Sequence, residues 1–292
     1  PRFNWGFWSE AEPKINDRLV DVSRGKTLGG SSSINGMIYV RGNACDLDQW
    51  EELGAKGWGY RNCLPYYKKA ENCTYGEDDY RGGSGPLHTC NGNGMKNPLY
   101  RAFIKAGQEA GYGVTDDYNG YRQEGMSKMD MTVKDGVRCS TANAYLKPVL
   151  HRNNLTVFMH ALTRRVVLNG KKAIGVEFDR NGQTQIVKAN REVILSAGSI
   201  GSPHIMQMSG IGPSQVLKNA GIEVLHELPG VGENLKDHLE SVIQYETNLP
   251  VSLNRHMGTL GKFLIGARWY FFKSGLGATN HFESCGFIRS RA

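Results

Sequence analysis

The sequence predicts a mixed α/β chain (α+β in its details) with a small β-meander in its second half. Three observations carry that reading. The first 110 residues hold helix-sized apolar stretches that begin at Asn, Asp or Pro and stop at Gly. Two Asn-Gly dipeptides, Asn169-Gly170 and Asn181-Gly182, separate short apolar runs, which is the hairpin signal. One apolar run, 192–195, ends in Ser196-Ala197-Gly198 just ahead of a helix-like stretch.

Residues 1–43 read as loop-like and rich in Gly, Ser and Asn. Asp46 is expected to cap a short helix through Leu53, with Gly54 ending it. A second helix is expected over 62–71, with Pro65 early in it. The turn residues Asp78-Asp79, Gly82-Gly83 and Asn91-Gly92-Asn93-Gly94 make 76–96 a long loop. A third helix spans 97–110, opened by Pro98 and stopped by Gly111. Strands follow at 155–159, 163–168, 173–178 and 185–189, and a short buried strand at 192–195. Helices are expected at 203–208, at 214–220 before Gly221, and near 262–273. Strands at 240–245 and 284–288 flank the last of these.

Composition narrows the function classes. At 292 residues and 39% hydrophobic, the chain is long enough for one large core or two smaller ones. Its 37 glycines are nearly twice an average usage of about 7%, which calls for tight turns or backbone held close to a ligand. The net charge of +7 is spread among acidic residues. Arg164-Arg165 and Lys171-Lys172 flank a hairpin as solvated charges, so no nucleic-acid stripe is read. The six cysteines form no Cys-x-x-Cys pair, so no metal site is expected and the thiols are read as mostly free. Asn72-Cys73-Thr74 and Asn154-Leu155-Thr156 match a glycosylation pattern that is common by chance. No apolar stretch reaches the roughly 18 residues of a membrane span, and Arg268 interrupts the longest, 263–272. The ends, Pro1 and Ala292, read as those of an internal fragment.

Two glycine-rich runs are the candidates for chemistry. The first is Arg24-Gly25-Lys26-Thr27-Leu28-Gly29-Gly30-Ser31-Ser32-Ser33-Ile34-Asn35-Gly36-Met37. Its glycines allow close backbone approach, and its serines and Asn35 offer donors for phosphate or ring oxygens. Alone it equally fits a plain turn-rich loop. The second runs from Glu192 through Ala197-Gly198-Ser199 and Ser202-Pro203 to Ser209-Gly210-Ile211-Gly212. A strand feeding a helix N-terminus presents backbone N–H groups to a phosphate, although ordinary βα packing looks the same. No Gly-x-Ser-x-Gly elbow occurs, which removes support for a serine hydrolase.

In this order and spacing the two runs, with Leu228-Pro229-Gly230-Val231-Gly232-Glu233-Asn234-Leu235-Lys236-Asp237-His238, resemble the glucose–methanol–choline (GMC) oxidoreductase family. The similarity covers essentially the whole chain. Asn4-Trp5-Gly6-Phe7, the 36–43 run, Met129-Asp130-Met131-Thr132, Asp237-His238-Leu239-Glu240 and Gly277-Ala278-Thr279-Asn280-His281-Phe282-Glu283 resemble its choline-oxidising members.

The resemblance implies a GMC-type FAD-binding domain over 1–94 and 134–239, incomplete, and part of an antiparallel-sheet substrate-binding domain over 95–133 and 240–292. It implies flavin contacts at Gly29, Gly30, Ser31, Asn35, Gly36 and Met37, and adenosine-side contacts at Thr163, Ala197 and Gly198. Ile34 stands where some relatives attach FAD through a histidine, which implies noncovalent FAD. Glu240 is the carboxylate expected to face a substrate trimethylammonium group, with Glu283 the weaker candidate. The implied reaction is oxidation of a primary alcohol by hydride transfer to flavin N5, most specifically choline to betaine aldehyde. A dehydrogenase for another alcohol or sugar and an inactive truncated product are the alternatives. The Gly-x-Gly-x-x-Gly motif and the late His-Pro motif with the catalytic histidine are missing, so no catalytic residue is assigned. Asp237-His238 is discounted as a dyad because neighbours on a strand point apart. The electron acceptor stays unidentified. Association with the mitochondrial inner membrane or a bacterial membrane is implied by family only.

Overall fold

A computed structural model describes residues 2–92 and 94–290. Asn93, in the last predicted turn cluster, lies outside the described residues, as do Pro1, Arg291 and Ala292 at the ends of the expected domain ranges.

β1 (Phe7–Trp8) and β2 (Asp21–Val22) pair antiparallel within the stretch read as loop. α1 (Ala44–Glu52) is capped by Asn43, whose side chain accepts the Cys45 N–H. Asp46, expected as the cap, lies inside the first turn, where its charge meets the positive end of the helix. α2 (Tyr60–Ala70) starts before its predicted bound because Gly59 occupies the cap position, which leaves Pro65 in the helix interior. β3 (Glu71–Cys73) pairs parallel with β4 (Leu87–Thr89), a strand hidden inside the predicted 76–96 loop. α3 (Pro98–Glu109) forms as expected, with Asn97 accepting the Leu99 N–H and Gly111 at φ 88° closing it. β5 (Gly125–Lys128) follows, then the hairpin of β6 (Val133–Lys134) and β7 (Val137–Arg138).

The meander is β8 (Leu162–Asn169), β9 (Lys172–Arg180) and β10 (Gln183–Lys188), in spatial order β10-β9-β8. Asn181 at φ 53° and Gly182 at φ 75° make the left-handed two-residue turn that the dipeptide predicts. Its basic residues pair across strands: Arg164 meets Asp179 and Arg165 meets Glu177, each at 2.9 Å. α4 (Gly198–Met208) starts at Gly198, not Pro203, and encloses that proline. β11 (Ile211–Gly212), α5 (Ser214–Asn219) and β12 (His226–Glu227) follow, with β11 and β12 parallel. α6 (Thr259–Phe272) precedes β13 (Ser284–Phe287), which pairs antiparallel with β5.

Three apolar runs predicted as strands stay irregular: 155–159, 192–195 and 240–245. Each is apolar enough, but a partner ladder makes a strand, and none of the three pairs with another described segment. Ile194 is 76% exposed and Val242 73%, so the buried reading of 192–195 does not hold.

The chain forms two compact units, Pro1–Leu155 with Glu246–Ala292, and Thr156–Tyr245. The first has its core at Tyr118, Met126, Met131 and Val133; the second at Val166, Phe178 and Leu217. All six cysteines are free thiols. Among the described residues no helix is long and apolar enough to cross a membrane.

Candidate functional site

The first glycine run folds as a turn and a single 3-10 coil, Gly30–Ser33. Gly29 at φ 86° and Gly30 at φ 54° occupy the left-handed region that L side chains avoid. Gly25 has a different reason: a Cβ there would strike the Gly30 carbonyl. Gly36 has neither reason. Its φ is ordinary, and a Cβ would meet nothing nearer than a Phe282 ring carbon at 3.9 Å. The chain itself therefore does not require glycine at 36, as it does not at Gly230, Gly258 or Gly266.

Ser32 and Ser33 donate inside the loop, while Ser31 is exposed and only accepts. Ser31 Oγ accepts the Gly25 N–H at 3.1 Å. Ser32 Oγ donates to the Gly29 carbonyl at 2.6 Å and accepts the Thr141 N–H at 2.9 Å. Ser33 Oγ donates to the Leu28 carbonyl at 2.7 Å. These short hydroxyls stitch the coil together, because an isolated 3-10 turn leaves carbonyls that need partners.

Residues far along the chain complete the clamp. Arg138 Nη1 donates to the Asn35 carbonyl at 2.7 Å, to Asn35 Oδ1 at 2.8 Å and to the Ser32 carbonyl at 3.3 Å. Asn35 Oδ1 also takes the Met37 N–H at 3.1 Å, which holds Met37 at φ 59°. Asn280 Nδ2 donates to the Gly36 carbonyl at 2.7 Å. The sequence alone does not point to Arg138, Thr141 and Asn280 as partners of the loop. Each lies about a hundred residues or more away along the chain, and only Asn280 falls within a family-like motif.

The same unit holds a cavity of about 270 Å³ lined by Lys96, Tyr100, His256, Thr279, His281 and Glu283. Glu283 is 2% exposed. Its carboxylate accepts the Met95 N–H at 2.8 Å and the Thr279 hydroxyl at 2.9 Å.

In the other unit Thr163 sits on β8 opposite Phe178, where the register slips before Arg165. Ala197 caps α4, its N–H donating to Ser202 Oγ at 2.9 Å, and Gly198 opens the helix at φ 85°. Beside α4 a cleft of about 580 Å³ runs between Ser199, Pro203 and Gln207 and the turn at Gly230, Gly232 and Asn234. Backbone N–H groups of a helix start favour an anion there. Glu240 stands exposed in the irregular 239–245 segment. Asp237 and His238 are exposed and lie off any strand, contrary to the strand expectation, and Asp237 Oδ1 accepts the His238 backbone N–H at 2.9 Å, a local bond. Among the described residues no three His, Cys, Asp or Glu side chains are grouped to hold a metal.

The GMC oxidoreductase family model matches residues 11–240, which takes in both glycine runs. The chain belongs to this family. Among curated relatives it is 59% identical over 292 residues to the oxygen-dependent choline dehydrogenase of Photobacterium profundum, covering all of this chain and 51% of that protein. It is 56% identical to the protein of the same name from Vibrio vulnificus, covering all of this chain and 52% of that one. The chain thus spans about half the length of the curated relatives it matches. Among solved structures, an FAD-dependent oxidoreductase from Chaetomium thermophilum superposes with a TM-score of 0.84 at 29% identity, over 97% of this chain and 52% of that one. Formate oxidase from Aspergillus oryzae RIB40 gives 0.86 at 25% identity, over 99% and 52%. This GMC chain carries the family's cofactor-domain fold in incomplete form.

Proposed function

We propose that this GMC chain is the cofactor-binding part of an FAD-dependent dehydrogenase that oxidises choline to betaine aldehyde. The observation that carries the cofactor half is the family match over 11–240, which takes in a loop clamped by Arg138, Thr141 and Asn280. The substrate half rests on the 59% identity to a protein named for choline oxidation. We assign cofactor contact to the 24–37 loop, namely Gly29, Gly30, Ser31, Asn35, Gly36 and Met37, and to Thr163, Ala197 and Gly198. Ser31 Oγ accepts the Gly25 N–H, which leaves its hydroxyl proton to donate. Bound noncovalently, with Ile34 in the loop, FAD supplies the hydride acceptor at N5. The functional division expected from the family, 1–94 with 134–239 and 95–133 with 240–292, belongs to this reading.

A quaternary ammonium cannot donate a hydrogen bond, so its pocket needs an anion and apolar or aromatic walls. We assign that anion to Glu240. Glu283 is the second reading, favoured by its place on the wall of the 270 Å³ cavity beside Tyr100. The test, on a protein of the relatives' full length that contains this chain, is a flavin titration followed by anaerobic mixing with choline. The expected result is a coloured protein whose flavin bleaches with choline and not with glucose. Glu240→Gln is expected to raise the KM for choline while FAD affinity holds. If only Glu283→Gln does so, the second reading replaces the first. A full-length protein that stays colourless with FAD overturns the cofactor assignment.

A further inference from the structure

The backbone that leaves the glycine loop lies along a second segment, 130–132. Tyr39 N–H donates to the Asp130 carbonyl at 3.0 Å, and Thr132 N–H donates to the Met37 carbonyl at 2.9 Å. Ile38 and Met131 form a bridge between them. The 129–132 stretch also reaches the cavity wall, because Met129 N–H donates to the Glu283 carbonyl at 3.1 Å. One short stretch therefore fixes both the exit of the loop and the residue that lines the cavity.

One side chain joins the two backbones. Tyr118 is 2% exposed. Its hydroxyl donates to the Tyr39 carbonyl at 2.8 Å and accepts the Asp130 N–H at 2.7 Å. Burial, with the Asp130 carboxylate nearby, pushes this phenol above its ordinary range, so it keeps its proton. Asn119 works beside it, taking the Arg41 N–H at 2.9 Å and donating to the Tyr39 carbonyl at 3.2 Å.

Beneath lies a buried ion cluster. Glu71 accepts from Arg41 at 2.6 Å and Arg81 at 2.9 Å, and Arg81 also meets Asp130 at 2.7 Å and Asp117 at 2.8 Å. Thr89 donates to Glu71 at 2.7 Å. Burial opposes the charge on Arg81, yet Asp130, Glu71 and Asp117 outweigh it and hold the guanidinium protonated. A buried cluster of this kind does little for net stability, since desolvation offsets attraction, but its fixed geometry fits a registering device. It ties Arg41, at the end of the loop exit, to Asp130, on the segment alongside.

We propose that Tyr118 is a positioning residue: its buried hydroxyl, seated on the Arg41–Glu71–Arg81–Asp130 cluster, sets the backbone of 37–41 against 130–132 and so fixes how the loop meets its cofactor. The inference rests on the cofactor reading above for its last clause only. Tyr118→Phe tests it. The ring still packs on Phe287, at 5.5 Å between centroids, while both hydroxyl bonds are lost. The first readout needs no cofactor: amide exchange at 37–41 is expected to quicken about tenfold. The second is the dissociation constant for FAD, expected to rise about tenfold, with a changed visible circular dichroism of bound flavin. Met126→Ala, a buried deletion between Gly107 and Gly286, is the comparison variant and is expected to lower the melting temperature without either change. The proposal is overturned if Tyr118→Phe exchanges at 37–41 like the parent, or if Met126→Ala reproduces both effects, which would make the role merely structural. A parent protein that binds no FAD counts against the cofactor reading instead, and the exchange comparison still decides this one.

Discussion

The two glycine runs sit in different units and are held in opposite ways. The 24–37 loop is cross-linked to Arg138, Thr141 and Asn280 by side-chain hydrogen bonds. The 192–212 run is held at its far end, where Ser209 Oγ accepts the Val166 N–H, but its start hangs on the Ala197–Ser202 bond and its apolar residue Ile194 faces solvent. The same chemical vocabulary of small residues before a helix gives a rigid site in one case and an uncovered edge in the other. What differs is the number of distant residues that reach back. Glycine and serine let a chain take a shape; they do not hold it there.

Breaking the clamped side should have the largest effects. Arg81→Met strands Asp130 in the interior and leaves Glu71 with Arg41 and Thr89, and is expected to cost about 3–5 kcal/mol, read by chemical denaturation. A loss below about 1 kcal/mol would show that water reaches the cluster and screens its charges. Gly25→Ala drives a Cβ into the Gly30 carbonyl, and we expect about 1–3 kcal/mol with loss of FAD binding. Gly36→Ala sharpens the contrast: stability within about 0.5 kcal/mol of the parent, yet weaker FAD binding in a flavin titration. Equal FAD affinity would remove that glycine from the cofactor contacts. Arg138→Met removes one charged donor from three acceptors and is expected to cost about 1.5–3 kcal/mol, with faster exchange at 32–37.

The open side predicts small numbers. Ile194→Ser is expected to change stability by less than about 0.5 kcal/mol. A loss above about 1 kcal/mol, read in the same denaturation, means that 192–195 is covered in the working protein and the comparison fails. Alkylation at pH 8 gives the smallest test. Burial pushes the Cys90 thiol up to about 11 and Cys285 up to about 12, so both stay protonated and slow, while exposed Cys45 reacts first.

Local signals carry much of this fold. Asn97-Pro98 with Gly111 bounds α3, and Asn181-Gly182 sets the meander turn, because capping and left-handed turns depend on a few adjacent residues. The first helix is legible, but the pattern places its cap at Asp46, three residues past Asn43, since Asn and Asp both suit the position and only backbone dihedrals separate them. The strand at Leu87–Thr89 is hidden among turn residues, whereas 155–159, 192–195 and 240–245 look like strands and have no partners among the described segments. Pairing is a property of two segments, so a single segment cannot report it.

By itself the sequence determined where the chain turns, which loop is dense in glycine, and the family that its two glycine runs mark. Only the tertiary structure decided that Gly36 is a glycine the chain does not need, that Ser32 and Ser33 donate inside the loop, that Arg138 and Asn280 hold it, and that the Tyr118 hydroxyl meets the backbone of Asp130 beside a buried ion cluster. Turns and caps are fixed by neighbours a few residues apart. Clamps and clusters are fixed by groups brought together from as much as 244 residues away, as with Asn280 and Gly36, and no local pattern encodes that meeting.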